Sequence, residues 1–126
     1  MQALNQIEDL LLRLGRRELE IGDFRDRDGQ LRLIVPYPAW EDFLRLAFDE
    51  IAFYGAQSVQ VMRRMKALVN DLTLRLPEDR HAALRHWDVR LQSTIARSFE
   101  DVEQKQDASV EDRQGLGVPS KRQAKV

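Results

Sequence analysis

The residues best equipped for chemistry lie in one stretch, Pro36 to Gly55 (PYPAWEDFLRLAFDEIAFYG), where two prolines open, a glycine closes and six aromatics crowd the span. Trp40, Glu41, Asp42, Asp49, Glu50 and Tyr54 set carboxylates beside aromatic rings, the composition of a sugar or cation site. Their spacing argues for a quieter role. Glu41 and Asp42 are adjacent in what reads as a first helical turn, where acids complement the helix dipole. Asp49 and Glu50 are adjacent again on a polar seam, and on one straight helix neither pair converges on a shared substrate. The expectation is that these residues belong to an interaction surface, with no catalytic, cofactor-binding or metal-binding residue assigned.

Other groupings are weaker still. His81 and His86 are five apart, about 140° round a helix, so they cannot chelate one metal as an i, i+4 pair would. Arg63, Arg64 and Lys66, with Arg80, Arg85 and Arg90 on the next helix, could face phosphates. Asp71, Glu78, Asp79 and Asp88 interleave with them and no aromatic is spaced for base stacking, so a salt-bridged, solvated face is expected and no nucleic-acid partner. Met62 and Met65, with Trp87, could line a ligand pocket; core packing accounts for them as well. Asp26 to Gly29 half-matches a calcium loop, yet the first and twelfth ligands would then be Phe24 and Val35, which cannot coordinate. Near the C-terminus, Asp112-Arg113-Gln114-Gly115-Leu116-Gly117 offers Leu116 as a glycine-flanked anchor for a partner surface.

Composition bounds what these groups can do. The 126 residues, 43% apolar and 33% charged, suit one soluble domain. Lys plus Arg, at 20, nearly cancels Asp plus Glu, at 21, leaving no global field toward nucleic acid or anionic lipid. The lack of cysteine removes disulfides, thiolate nucleophiles and Cys-based zinc sites, and fits a reducing, cytoplasmic compartment. The longest apolar runs, Leu10 to Leu12 and Leu33 to Val35, fall far short of the ~18 residues of a bilayer span. Glu8 and Asp9 interrupt any signal-peptide core.

The elements follow from periodicity. Leu4, Ile7, Leu11 and Leu14 predict a helix over about residues 2–16, with no capping residue before Gln2. Leu19, Ile21, Leu31, Leu33 and Val35 alternate around an Asp-Gly turn, predicting a β-hairpin over about 19–35 whose apolar face must lie on a helix. Pro36 ends the second strand. A nearly all-round apolar helix over about 39–54 is expected at the centre of the fold, with Gly55 as its C-terminal cap. Ser58 caps a helix over about 58–76, and Pro77 begins another running to about 104, with Leu84, Trp87, Leu91, Ile95, Phe99 and Val102 as its buried edge. The architecture expected is mainly α: a four-helix single domain over 1–106, one small hairpin between helices 1 and 2, and a disordered, flexible C-terminal tail over 107–126.

Three segments together resemble a known family: NQIEDLLLRLGRRELEIG, then DGQLRLIVPYPAWEDFLRLAFDEIAFYGAQSVQVMRRMKAL, then DRQGLG. They are similar to the C-terminal region of the bacterial predicted membrane proteins catalogued as domain of unknown function 2254. The likeness runs from Ala3 to Gly117; its most specific pieces are Trp40-Glu41-Asp42, Leu46-Ala47-Phe48-Asp49-Glu50-Ile51, Tyr54-Gly55-Ala56 and the DRQGLG motif. The resemblance implies membrane-spanning helices upstream, hence a fragment or truncated product, and a place on the cytoplasmic side of the bacterial inner membrane. It implies no activity, and it leads one to expect arginine where this chain has Ala52.

The leading expectation is a non-enzymatic, cytoplasmic interaction or assembly domain with a protein partner or a second copy of itself, using no cofactor and meeting the membrane only through upstream segments. The alternative is a small-ligand-binding or enzymatic domain on the acidic and aromatic face of the Pro36–Gly55 helix. Nucleic-acid binding through the Arg63 to Arg90 face comes third.

Overall fold

The helix with the cleanest apolar period is the hub. In the computed structural model, which describes residues 2–19, 23–34 and 38–110, helix α3 (Val59–Arg75) packs against three others. These are α1 (Gln2–Gly15), α4 (His81–Ser98) and α5 (Val102–Ser109). Helix α2 (Trp40–Tyr54) lies on α1 and α4. Met62, Met65, Leu68 and Leu72 are fully buried, and every residue from Met62 to Val69 is inside. The Ser58 hydroxyl accepts from Val61 N at 3.3 Å, satisfying one of the amides that an α-helix leaves open at its start.

This overturns two expectations. The Pro36–Gly55 helix is not the all-round buried centre: α2 buries only Trp40, Leu44 and Phe48, a single i, i+4, i+8 stripe. Nor do Arg63, Arg64 and Lys66 form a solvated face, because all three are buried. Successive residues turn by about 100° on a helix, so these three side chains leave α3 in different directions. Each finds an acceptor on a different neighbour. Arg63 Nε donates to Val110 O just past α5 at 3.2 Å, Arg64 Nη2 to Glu8 Oε2 of α1 at 2.6 Å, and Lys66 Nζ to Asp88 Oδ1 of α4 at 2.8 Å. A buried cation is tolerated when it is paired and hydrogen-bonded, and here pairing ties the hub to its three neighbours.

Among the described residues there are five α-helices, not four. The predicted 78–104 helix is a 3-10 turn over Glu78–Arg80, then α4, then a break at Phe99, whose backbone is extended. Asp101 restarts the chain as α5, its side chain accepting from Glu103 N at 2.7 Å. The break lets α5 turn back onto α3 and α4, burying Phe99 and Ala108. Val102, expected on the buried edge, is exposed.

The hairpin pairs β1 (Asp23–Arg25) antiparallel with β2 (Leu31–Ile34), Phe24 opposite Leu33, with an irregularity between Phe24 and Arg25. Gly29 takes φ +79°, the left-handed backbone that the turn requires of it. Asp26 organises the turn rather than a calcium ion: Oδ1 accepts from Asp28 N and Gln30 N at 3.0 and 2.9 Å, and Oδ2 accepts from Arg32 Nε at 2.8 Å. The Arg32 bond, followed by the backbone donors, holds the Asp26 carboxyl below its usual range. All seven described strand residues are exposed, so Leu31 and Leu33 do not lie on a helix as expected, whereas Leu19, just before the hairpin, packs against the core. Ile21, Val35, Pro36 and Leu116 lie outside the described residues.

Candidate functional site

The sequence of α2 divides between two jobs. Trp40, Leu44 and Phe48 face inward, Phe48 meeting Trp87 of α4 edge to face at 5.2 Å between ring centroids. On the other side Leu46, Phe53 and Tyr54 are 82%, 76% and 81% exposed. Phe53 and Tyr54 form their own edge-to-face pair at 5.2 Å. Three large apolar side chains this bare on one helix are unusual beside a core this complete.

The acids of α2 separate by role. Asp42 Oδ2 accepts from Ala39 N at 2.9 Å, closing the helix start, and its Oδ1 pairs with Arg45 Nη2 at 2.5 Å. Asp49 pairs across to α4, with Arg90 Nη1 3.2 Å from Oδ1; that contact lacks hydrogen-bond geometry, so this buried oxygen is held by charge alone. Arg90 also lies over the Trp87 ring at 4.2 Å from its centroid. Glu50 stays exposed between Leu46, one turn before it, and Phe53 and Tyr54, one turn after.

Between the C-terminal half of α2 and α4 runs an open cleft of about 700 Å³, lined by Asp49, Glu50, Phe53, Tyr54, Arg90 and Arg97 among others. Asp49, Glu50 and Tyr54 of the expected interaction residues therefore share one opening. Trp40 does not join them: it is buried in the core, its Nε1 donating to Arg80 O at 3.2 Å. Glu41 sits away from them, beside a smaller hollow that His86 also lines. The histidines stay apart, His86 exposed and His81 half-buried with Nε2 2.9 Å from Leu76 O. Met62 and Met65 are core. Sequence reasoning placed Arg90 on a basic face and did not set it beside Asp49; the available signal was its i, i+3 spacing from Trp87, which places a guanidinium over an indole.

Residues 1–71 match the family model described as "Predicted membrane protein (DUF2254)". The chain belongs to this family. Within this DUF2254 chain the matched region takes in α1, the hairpin, α2 and α3 as far as Asp71, so the exposed α2 face lies inside it and the α4 wall of the cleft beyond it. No curated protein and no solved structure matches the chain. Among the described residues, no helix is long and apolar enough to cross a membrane.

Proposed function

We propose that this chain is a non-enzymatic interaction domain that takes a protein partner on the outer face of α2, on the cytoplasmic side of the membrane with which its family is associated. The observation that carries the reading is the exposure of Leu46, Phe53 and Tyr54 around Glu50. Aromatic and aliphatic side chains ringing a polar group are the make-up of an interface centre, where a few large residues supply most of the binding energy. The carboxylate of Glu50, with no ion pair among the described residues, favours a partner helix that carries a Lys or Arg among its apolar residues. A combined Leu46→Ser, Phe53→Ser, Tyr54→Ser variant tests this. In detergent extracts of the source cell the wild-type chain should migrate in a complex and the variant alone, with melting temperatures about equal because these side chains are already bare. A wild-type chain that migrates alone contradicts the reading.

A second reading, a small-ligand or catalytic domain, draws on the cleft that gathers Asp49, Glu50 and Tyr54. It requires small molecules to shift the amide resonances of α2 and α4 together in a metabolite screen by NMR; shifts confined to other elements would exclude it.

A further inference from the structure

The cleft between α2 and α4 carries one charge of each sign that the fold leaves unpaired. Four charged side chains line it, Asp49 and Glu50 from α2 and Arg90 and Arg97 from α4, so their formal charges sum to zero. Asp49 and Arg90 satisfy each other, with Arg90 Nη1 3.2 Å from Asp49 Oδ1. Glu50 and Arg97 are exposed and make no ion pair among the described residues. Arg97 Nε donates to the Ser93 carbonyl of its own helix at 3.3 Å, which leaves its two terminal nitrogens for another acceptor. The rest of the lining is small or aromatic. Ala52, Ala56, Thr94 and Ser98 leave the cleft open to about 700 Å³, and Phe53 and Tyr54, which also line it, are bare.

On the reading that the outer face of α2 binds protein, we propose that its partner is a second copy of the chain, docked about a two-fold axis that runs along the cleft. Half a turn about such an axis lays α2 of each copy over α4 of the other, so Glu50 of one copy meets Arg97 of the other at two equivalent contacts. An isologous interface must complement itself. A cleft with one free charge of each sign on opposite walls does so, whereas a face of a single sign repels its own copy. A nucleic acid or an anionic lipid would find no excess of cations here. The same rotation sets Phe53 and Tyr54 of each copy against the small Thr94 and Ser98 of the other, where the rings are covered from water without displacing a bulky side chain. Arg97 is then the cation that the unpaired Glu50 calls for on a partner helix.

Sedimentation of the purified chain from about 1 μM to 1 mM, the span of weak self-association, should show monomer giving way to dimer. Glu50→Arg and Arg97→Glu each set like charges together at both contacts, and each should weaken self-association at least about tenfold. Mixed in equal amounts, the two variants should recover wild-type association, because each copy then meets the opposite sign at both contacts. Both side chains are exposed, so the variants should melt close to the wild-type chain. A wild-type chain that stays monomeric, single variants that associate like it, or a mixture no better than its components overturns the proposal. Should a variant fail to fold, the wild-type dimer decides: weakening in about 1 M salt supports contact between the free charges, and indifference to salt removes it. A chain that is monomeric when pure yet migrates from cell extracts in a complex lost in the Leu46→Ser, Phe53→Ser, Tyr54→Ser variant overturns the second copy and leaves the protein-partner reading standing. One that is alone in both settings overturns both.

Discussion

Trp40 and Arg80 hold each other by two contacts: the indole Nε1 donates to the Arg80 carbonyl at 3.2 Å, and the guanidinium lies 5.7 Å from the centroid of the indole ring. The same guanidinium donates from Nε to Gly15 O at 3.1 Å and from Nη2 to Arg17 O at 2.8 Å. One arginine thus caps the C-terminal end of α1, where the helix dipole favours a cation, while binding the start of α2. Arg80→Ala should cost about 1 to 3 kcal/mol by urea denaturation, from carbonyls left without their donor. Trp40→Phe, which keeps the ring buried and loses only the N–H, should cost less.

Gly15 ends α1 where no side chain fits. A Cβ there would stand 2.6 and 2.8 Å from the methyls of buried Leu76 and 3.2 Å from the Trp40 ring. Gly to Ala in a helix ordinarily stabilises by up to about 1 kcal/mol. Here crowding should win, with Gly15→Ala destabilising by about 1 to 3 kcal/mol. Leu76→Val in the same chain should relieve part of that loss, a non-additivity that a double-mutant cycle in chemical denaturation would detect.

Burial sets the value of the ion pairs. Arg13 and Asp9 pair at 3.0 Å with side chains 72% and 60% exposed, whereas Lys66, paired with Asp88 at 2.8 Å, is only 11% exposed. Asp9→Asn should therefore change stability by no more than about 0.5 kcal/mol. Asp88→Asn, which leaves an enclosed ammonium short of its charge partner, should cost about 1 to 3 kcal/mol, and high salt should mask it less.

Ala52 lines the cleft one turn from Asp49. An arginine introduced there reaches Asp49 as an i, i+3 neighbour and supplies a donor to the oxygen that Arg90 meets without a hydrogen bond. Ala52→Arg should stabilise the chain by about 0.2 to 0.5 kcal/mol in low salt, and the gain should vanish in 1 M salt. An unchanged or lower stability in low salt would leave Asp49 served by Arg90 alone.

The apolar stripe of α3, the Ser58 cap, the break at Pro77 and the Asp-Gly turn were legible because each follows from local chemistry. The family was legible from the α2 motifs, which lie inside the matched residues 1–71; the DRQGLG motif lies outside that match. The second break was not: Phe99 and Val102 continue the helical spacing of Ile95, and only the cap that Asp101 gives Glu103 N interrupts it. Periodicity reports which residues could share a face, not whether the backbone between them stays helical. Arg63, Arg64 and Lys66 misled for a related reason. Charge suggests water, and burial became possible only because three neighbouring elements each brought an acceptor, a tertiary fact. In α2 the error ran the other way: the pattern made the helix apolar nearly all round and so buried, although no described element covers Leu46 and Phe53.

That bare face is where the account stands or falls, and the absence of cysteine makes it directly measurable. Single cysteines at Phe53 (Phe53→Cys) and at exposed Gln92 of α4 (Gln92→Cys) would be labelled with a maleimide, once in the dilute purified chain and once in intact source cells. The interaction reading expects both positions to react fully in the purified chain and position 53 alone to be shielded in cells. Equal reactivity at the two positions in both settings would contradict it.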